Sequence, residues 1–514
     1  MAKRKTRSLN IPAKYPDRAD RMILGDGCIF STDCRKTGLN NNILVVGGSG
    51  SGKTVSIVEP FLLESFSRSI VCSVTKRGIV NKFIPLLQNR GYKILDLDFV
   101  HPSRGNVCFD PLDYINSFAD ISFLSQSIIS GTRRNHNPDP YWDESAASLL
   151  NALIAETLML KDNPTFADVL ETIDSLSISS RYDELVTTDL DEKFKFLESK
   201  DPLNYASSNW RTFSNLPVKT AGCVFSTLHS IIDSTFTPEL RAMFRMRKKL
   251  RFEQLANEKT ALFITSSPVD PSINSFISLF YAQMFKELFD YAESQPDGKL
   301  PFPVHLIADD FATGCPVPLF DQYISILREK QISVILLIQS ETQLASLYGD
   351  GSATTIRNNC DTYVYMGSND LATAQNISVR ANIPLKDILE MPIGSQILFR
   401  HGSKPHYGQR YNTFANAEYQ NVLREYKKRV AKEFRLRQRV RSGQKANPEN
   451  DDVEEMLHAG KITLGELQRN AANILGFLLK SPSILLLTDR ICKEELEAMN
   501  TKEEDDVDAG SLLN

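Results

Sequence analysis

The sequence has no stretch of about 18 consecutive apolar residues, the length a membrane-spanning helix needs. The nearest approach, Ile474–Leu487, is broken by Lys480, Ser481 and Pro482. The first residues, Met1 to Arg21, are basic and carry no apolar core, which excludes a secretory signal. The expectation is a cytoplasmic chain that meets the inner face of a membrane only through partners. Cysteine is sparse. Eight are scattered through 514 residues with no CxxC pair, which excludes a zinc ribbon and a disulfide framework and leaves buried thiols. No charge of one sign dominates. The net charge of −4 excludes a small, wholly basic nucleic-acid binder but not a local basic surface. What is present is ordinary globular composition, with 42% apolar and 24% charged residues, so a mostly disordered or coiled-coil chain is also excluded.

Short apolar runs punctuate the chain: Asn42–Val46, Ser69–Val74, Lys93–Asp98, Thr260–Thr265, Val304–Ala308, Ser333–Ile338 and Thr362–Met366. Helical patterns separate them, and strands alternating with helices predict an α/β fold with a mainly parallel sheet. Between the third and fourth runs the pattern is mostly helical, so one α/β domain is expected to carry an inserted all-helical domain. A segment of two-residue period, Ser395–Phe399, is expected to end the sheet. The expected domains are a basic arm and lead-in at 1–40, the nucleotide-binding domain at 41–141 and 256–415, and the helical insertion at 142–255. A basic helical C-terminal extension follows at 416–490, with a disordered acidic tail at 491–514.

Gly47-Gly48-Ser49-Gly50-Ser51-Gly52-Lys53-Thr54 matches G-x-x-x-x-G-K-[ST]. A buried-strand pattern precedes it and a helix start follows. Glycines let the backbone curl so that successive N–H groups face a phosphate at the helix N-terminus. Lys53 is expected to reach the β- and γ-phosphates, and Thr54 to ligate Mg²⁺. The metal needs a second carboxylate at the end of another buried strand. Asp309, closing Val304–Ala308, fits, with Asp310 placed to polarise an attacking water. Gln339 ends the apolar run Ser333–Ile338 at the sheet edge where nucleotide binds in such folds, and suits a γ-phosphate sensor. Arg328 follows the helical run Leu319–Leu327 and suits stabilisation of transition-state charge, including across a subunit boundary.

These segments together resemble the coupling ATPases of type IV secretion, the TraG/TraD-type conjugal DNA-transfer proteins. The specific block is Ile307–Pro384. It contains Asp309-Asp310-Phe311-Ala312, Pro318–Arg328, Ile332-Ser333-Val334 through Gln339-Ser340, Gln343-Leu344, Tyr348-Gly349, Asn359-Cys360-Asp361-Thr362 and Gly367–Asp370. Asp139-Pro140-Tyr141-Trp142 is similar to the element that opens the family's helical insertion. The resemblance implies a RecA-like P-loop NTPase core and an ATP- and Mg²⁺-dependent motor, usually a homo-hexamer. Such a motor moves relaxase-bound single-stranded DNA into a type IV secretion channel. It implies Lys53 and Thr54 as nucleotide and metal ligands, Asp309 as the Mg²⁺ carboxylate, Arg328 as a finger acting in trans and Gln339 as sensor. Two other readings share the core: a DNA-pumping ATPase of the FtsK/HerA kind, and a hydrolysis-weak paralogue that uses ATP to adapt cargo.

The sequence departs from the family in three places. Its usual N-terminal membrane helices have no counterpart here. Its D-P-K-G-E segment reads Val74-Thr75-Lys76-Arg77-Gly78, and the Glu expected after Asp309 is Asp310, shorter by about one 1.5 Å C–C bond. Two basic runs stand out, six Lys/Arg from Arg241 to Arg251 and nine from Arg424 to Arg441. The first suits phosphate contacts in the insertion, with Met243, Phe244 and Met246 interleaved, or else a solvated helix face. The second suits nucleic acid or anionic lipid, or else a solvated helix face. Asn447–Leu487 also resembles a C-terminal helical piece of family-three β-glucosidases. No glycosidase domain precedes it, and it is read as a local helical module.

Overall fold

The computed structural model describes residues 20–441 except 76, 132–138, 182–184, 189, 268–270 and 313. The basic extension beyond Arg441, the helical module expected at Asn447–Leu487 and the acidic tail lie outside the described residues. Two units are present, the first ending at Gln420 and the second beginning at Asn421. Within the second, the described backbone is the continuation to Arg441 of a helix that starts at Ala417.

Along the chain, β1 (Arg21–Ile23) and β2 (Ile29–Ser31) form a small antiparallel hairpin in what the sequence offered only as a lead-in. β3 (Ile43–Val46), β4 (Ser69–Val74) and β5 (Lys93–Asp98) come next. β6 (Ile178–Arg181) and β7 (Leu185–Thr188) lie in the insertion. β8 (Thr260–Thr265), β9 (Val304–Ala308), β10 (Ile332–Ile338), β11 (Thr362–Tyr365), β12 (Ser395–Arg400) and β13 (His406–Gln409) complete the set. Nine strands make one sheet in the order β13-β12-β11-β3-β10-β9-β4-β8-β5. From β11 to β5 every pairing is parallel; β12 and β13 add on antiparallel. The central strands β3, β4, β9 and β10 are buried along their whole length. That is why they read as unbroken apolar runs rather than alternating ones: both faces are covered by helices.

Two expectations need correction. The segment 142–255 is not all helical, because β6 and β7 pair within it. The β-branched Val186, Thr187 and Thr188 favour extended backbone there. The sheet also does not end at Ser395–Phe399. β13 pairs beyond it, and its polar, largely exposed residues His406, Tyr407, Gly408 and Gln409 gave no apolar signal.

The buried residues of the insertion are continuous with those of the sheet. Phe236 and Phe244 within it meet Phe276 edge-on or tilted at 5.7 and 5.8 Å between ring centroids. Phe276 belongs to the helix Pro271–Glu293, and it also packs on Phe99 and Phe109, which follow β5. Fully burying each ring contributes on the order of 2–3 kcal/mol. This shared aromatic layer therefore joins the insertion to the sheet within one compact unit.

Candidate functional site

The phosphate-loop segment leaves the C-terminal end of β3, flanked by β11 and β10. Its start is held to both neighbours: Gly47 N–H donates to the Ile338 carbonyl at 3.1 Å, and Gly48 N–H to the Gly367 carbonyl at 2.7 Å. Gly50 and Gly52 have φ of +77° and +88°, where a side chain would be strained. Lys53 follows and is only 8% exposed. Its ammonium donates back to the Gly47 carbonyl at 2.5 Å and the Gly48 carbonyl at 3.3 Å. Burial pulls the Lys53 pKa down, and the charges of Asp310 and Asp309 push it back up.

Asp309 stands at the end of β9, two strands from β3. The Thr54 hydroxyl donates to its Oδ2 at 2.9 Å. Burial holds the Asp309 carboxyl above its usual range, while the Thr54 hydrogen bond works in the opposite direction. The next residue, Asp310, has φ of +54°. Aspartate is among the few side chains that visit this left-handed region routinely. The turn lets Phe311 N–H rejoin the sheet on the Leu337 carbonyl at 3.0 Å. Gln339 ends β10, the strand lying between β3 and β9. Its N–H donates to Gln343 Oε1 and its carbonyl accepts from the Ser368 hydroxyl, both at 3.3 Å.

Five of the residues singled out in the sequence thus gather at one edge of the sheet: Lys53, Thr54, Asp309, Asp310 and Gln339. Arg328 does not join them. It precedes β10, so it lies at the opposite end of that strand, roughly 20 Å away at about 3.3 Å per residue. There it is exposed and donates to the Gly38 carbonyl at 2.9 Å. Within one chain it cannot reach the loop.

The donor set suits a phosphate–metal ligand. Curled main chain and one buried ammonium face the space where an anion sits in such loops. A hydroxyl and a carboxylate, the hard oxygen ligands Mg²⁺ prefers, lie side by side. The Ser51 hydroxyl is buried in the loop without a hydrogen-bond partner, as expected of a group with a further acceptor or donor to meet.

Two residues that no motif flagged touch the loop. Arg410 Nη1 donates to the Ser51 carbonyl at 2.8 Å, and the Thr413 hydroxyl to the Val55 carbonyl at 2.5 Å. Both come from the segment after β13, more than 350 residues along the chain. No local pattern reports such a contact.

The basic run Arg241–Arg251 proves largely committed. Arg241 pairs with Asp174 and Asp233, Arg245 with Glu171, and Lys249 with Asp110 and Asp113. The interleaved Met243 and Phe244 are core residues. The departure at Val74–Gly78 also has a structural role, since Arg77 bonds both Asp96 and Asp98 at the end of β5. Among the described residues, no helix is long and apolar enough to cross a membrane.

A family model for type IV secretory system conjugative DNA transfer matches residues 8–382. The chain belongs to this family. No curated protein matches the sequence. Among solved structures, this coupling-family chain is similar to the bacterial conjugative coupling protein TrwB in complex with sulphate. That match has 16% identity and a TM-score of 0.57, and covers 78% of this chain and 96% of that one. It is also similar to the plasmid coupling protein TrwB in complex with ADP and Mg²⁺, at 17% identity and a TM-score of 0.57, covering 77% and 90%. At such identities the likeness establishes the shared α/β fold.

Proposed function

We propose that this chain is an ATPase that couples ATP binding and hydrolysis to recruitment of relaxase-bound single-stranded DNA and its transfer into a type IV secretion channel. The observation that carries the reading is the Thr54–Asp309 contact beside the buried Lys53. Membership of the conjugative DNA transfer family supports it, as does the capture of TrwB with ADP and Mg²⁺ on the same fold. In this reading the loop from Gly47 to Gly52 wraps the phosphates, with the N–H groups of Ser49, Gly50 and Gly52 turned to them while those of Gly47 and Gly48 stay on the sheet. Lys53 neutralises the β- and γ-phosphate oxygens, and Thr54 and Asp309 hold Mg²⁺, which supplies further positive charge there. Asp310 orients the attacking water and Gln339 senses the γ-phosphate. Arg328, at the far end of β10, serves only a neighbouring subunit's nucleotide, which requires an assembly such as a homo-hexamer. The helical insertion receives cargo, and the protein works at the cytoplasmic face of the membrane, docked through channel partners.

The test is the steady-state ATPase rate of the full chain with and without single-stranded DNA. Stimulation by DNA is the expected result. Hydrolysis that DNA leaves unchanged would sink the motor reading.

One observation favours the hydrolysis-weak adaptor as a second reading. Asp310 has a short side chain, and a general base must come within hydrogen-bond reach of its proton. Asp310→Glu is therefore expected to raise turnover. A rate equal to or below wild type would refute the reach explanation.

A further inference from the structure

The helix that follows the phosphate loop does not begin as an α-helix. Thr54–Val58 form a π turn in which the Glu59 N–H donates to the Thr54 carbonyl, five residues back. The next residue is Pro60, which has no N–H. The Glu59 amide is spent on Thr54, and Pro60 has none to give, so the helix supplies no donor in turn to the Val55 carbonyl. An unpaired main-chain carbonyl is costly unless water or another group satisfies it. The Thr413 hydroxyl does so at 2.5 Å, from a side chain only 1% exposed.

Three residues earlier, Arg410 Nη1 donates to the Ser51 carbonyl at 2.8 Å, and its own N–H is anchored on the Gly394 carbonyl at 2.8 Å. The guanidinium fills the space beside Gly52, where an added Cβ would lie 2.4 Å from Nη1. Further along, the Tyr419 hydroxyl accepts from Lys82 at 3.2 Å, and Lys82 also pairs with Glu59 at 2.7 Å. Glu418 pairs with Arg90 at 2.6 Å. Residues 410–419 therefore run as a strap over the loop and its helix, tied at both ends.

We propose that Arg410 and Thr413 are positioning residues that hold the phosphate loop in its anion-binding shape before the anion arrives. The proposal rests on the reading of residues 47–54 as the nucleotide site. Both hydrogen bonds go to carbonyls of the loop and its first turn, so neither uses up a loop N–H group. A loop already fixed loses less conformational freedom on binding, and that difference appears as affinity. Pro60 makes the arrangement specific, because it is the residue that gives Thr413 a carbonyl to satisfy.

The test measures binding of a fluorescent ADP analogue with Mg²⁺ to the full chain, together with hydrogen exchange of the 48–54 amides without nucleotide. Thr413→Val is expected to weaken binding about fivefold, the ratio that one hydrogen bond of ordinary net strength gives, and to speed exchange in the loop. Thr413→Ser, which keeps the hydroxyl, is expected to restore both. Arg410→Ala is expected to act in the same direction. In a Pro60→Ala background, where residue 60 regains its N–H, Thr413→Val should change affinity less than twofold. Wild-type affinity and exchange in Thr413→Val and Arg410→Ala, alongside lost binding in Lys53→Ala, would overturn the strap and leave the site reading standing. An undiminished Thr413→Val effect in the Pro60→Ala background would overturn the carbonyl mechanism. Wild-type binding by Lys53→Ala would overturn the site reading and the proposal with it.

Discussion

Alanine in place of Lys53 is expected to cut ATP hydrolysis by about 10²–10³-fold, the loss seen when one preorganised charge-stabilising donor is removed from a transfer site. Geometry sets the size of the effect. The ammonium is almost wholly enclosed by the loop and rests on the carbonyls of Gly47 and Gly48. Burial lowers its pKa, and the charges of Asp310 and Asp309 act against that. Without it, those two carboxylates face the polyphosphate with no cation from the loop between them. Lys53→Arg is not expected to rescue, because a planar fork does not fit a site shaped for a compact ammonium. Initial rates with saturating Mg²⁺ check this directly; a Lys53→Ala rate within twofold of wild type would show that the loop does not carry the chemistry.

The second large effect concerns stability. Arg77→Ala is expected to lower the unfolding free energy by about 3–5 kcal/mol, the cost of leaving buried partners of an ion pair uncompensated. Arg77 Nη1 donates to Asp98 Oδ2 at 2.8 Å, Nη2 bonds Asp96, and further contacts reach Thr265 at 3.3 Å and the Arg104 carbonyl at 3.2 Å. The Asp98 side chain is 1% exposed. Its Oδ1 keeps the N–H groups of Val100 and His101 at 3.0 and 2.8 Å, which offsets part of the loss. Arg77→Lys should recover little, since one ammonium cannot span two carboxylates and a carbonyl. Urea unfolding of the full chain measures the shift. A midpoint unchanged in Arg77→Ala would mean that both aspartates find water instead.

The parallel strands were legible because burial on both faces leaves a plain signature. β8 and β9 run from Thr260 to Thr265 and from Val304 to Ala308, the bounds that their apolar runs suggest. The loop and Asp309 were legible for a related reason, since their chemistry depends on residue types at fixed short spacings. β13 was not legible, because an edge strand with exposed, polar side chains has nothing to bury. Nor was the fate of the basic run at Arg241–Arg251. Charge is visible in a sequence, but the acids that neutralise it, Glu171, Asp174 and Asp110, come from other elements. Arg410 and Thr413 illustrate the same limit at the site itself. Their partners are main-chain carbonyls, which every residue has, so no residue pattern marks them.

The insertion occupies the connection between β5 and β8, which are adjacent, parallel and paired from Lys93↔Thr260 to Asp98↔Thr265. The chain leaves β5 at one end of the ladder and re-enters β8 at the other. Force taken up by the inserted layer therefore reaches this ladder at both of its ends, so two strands of the sheet share the load.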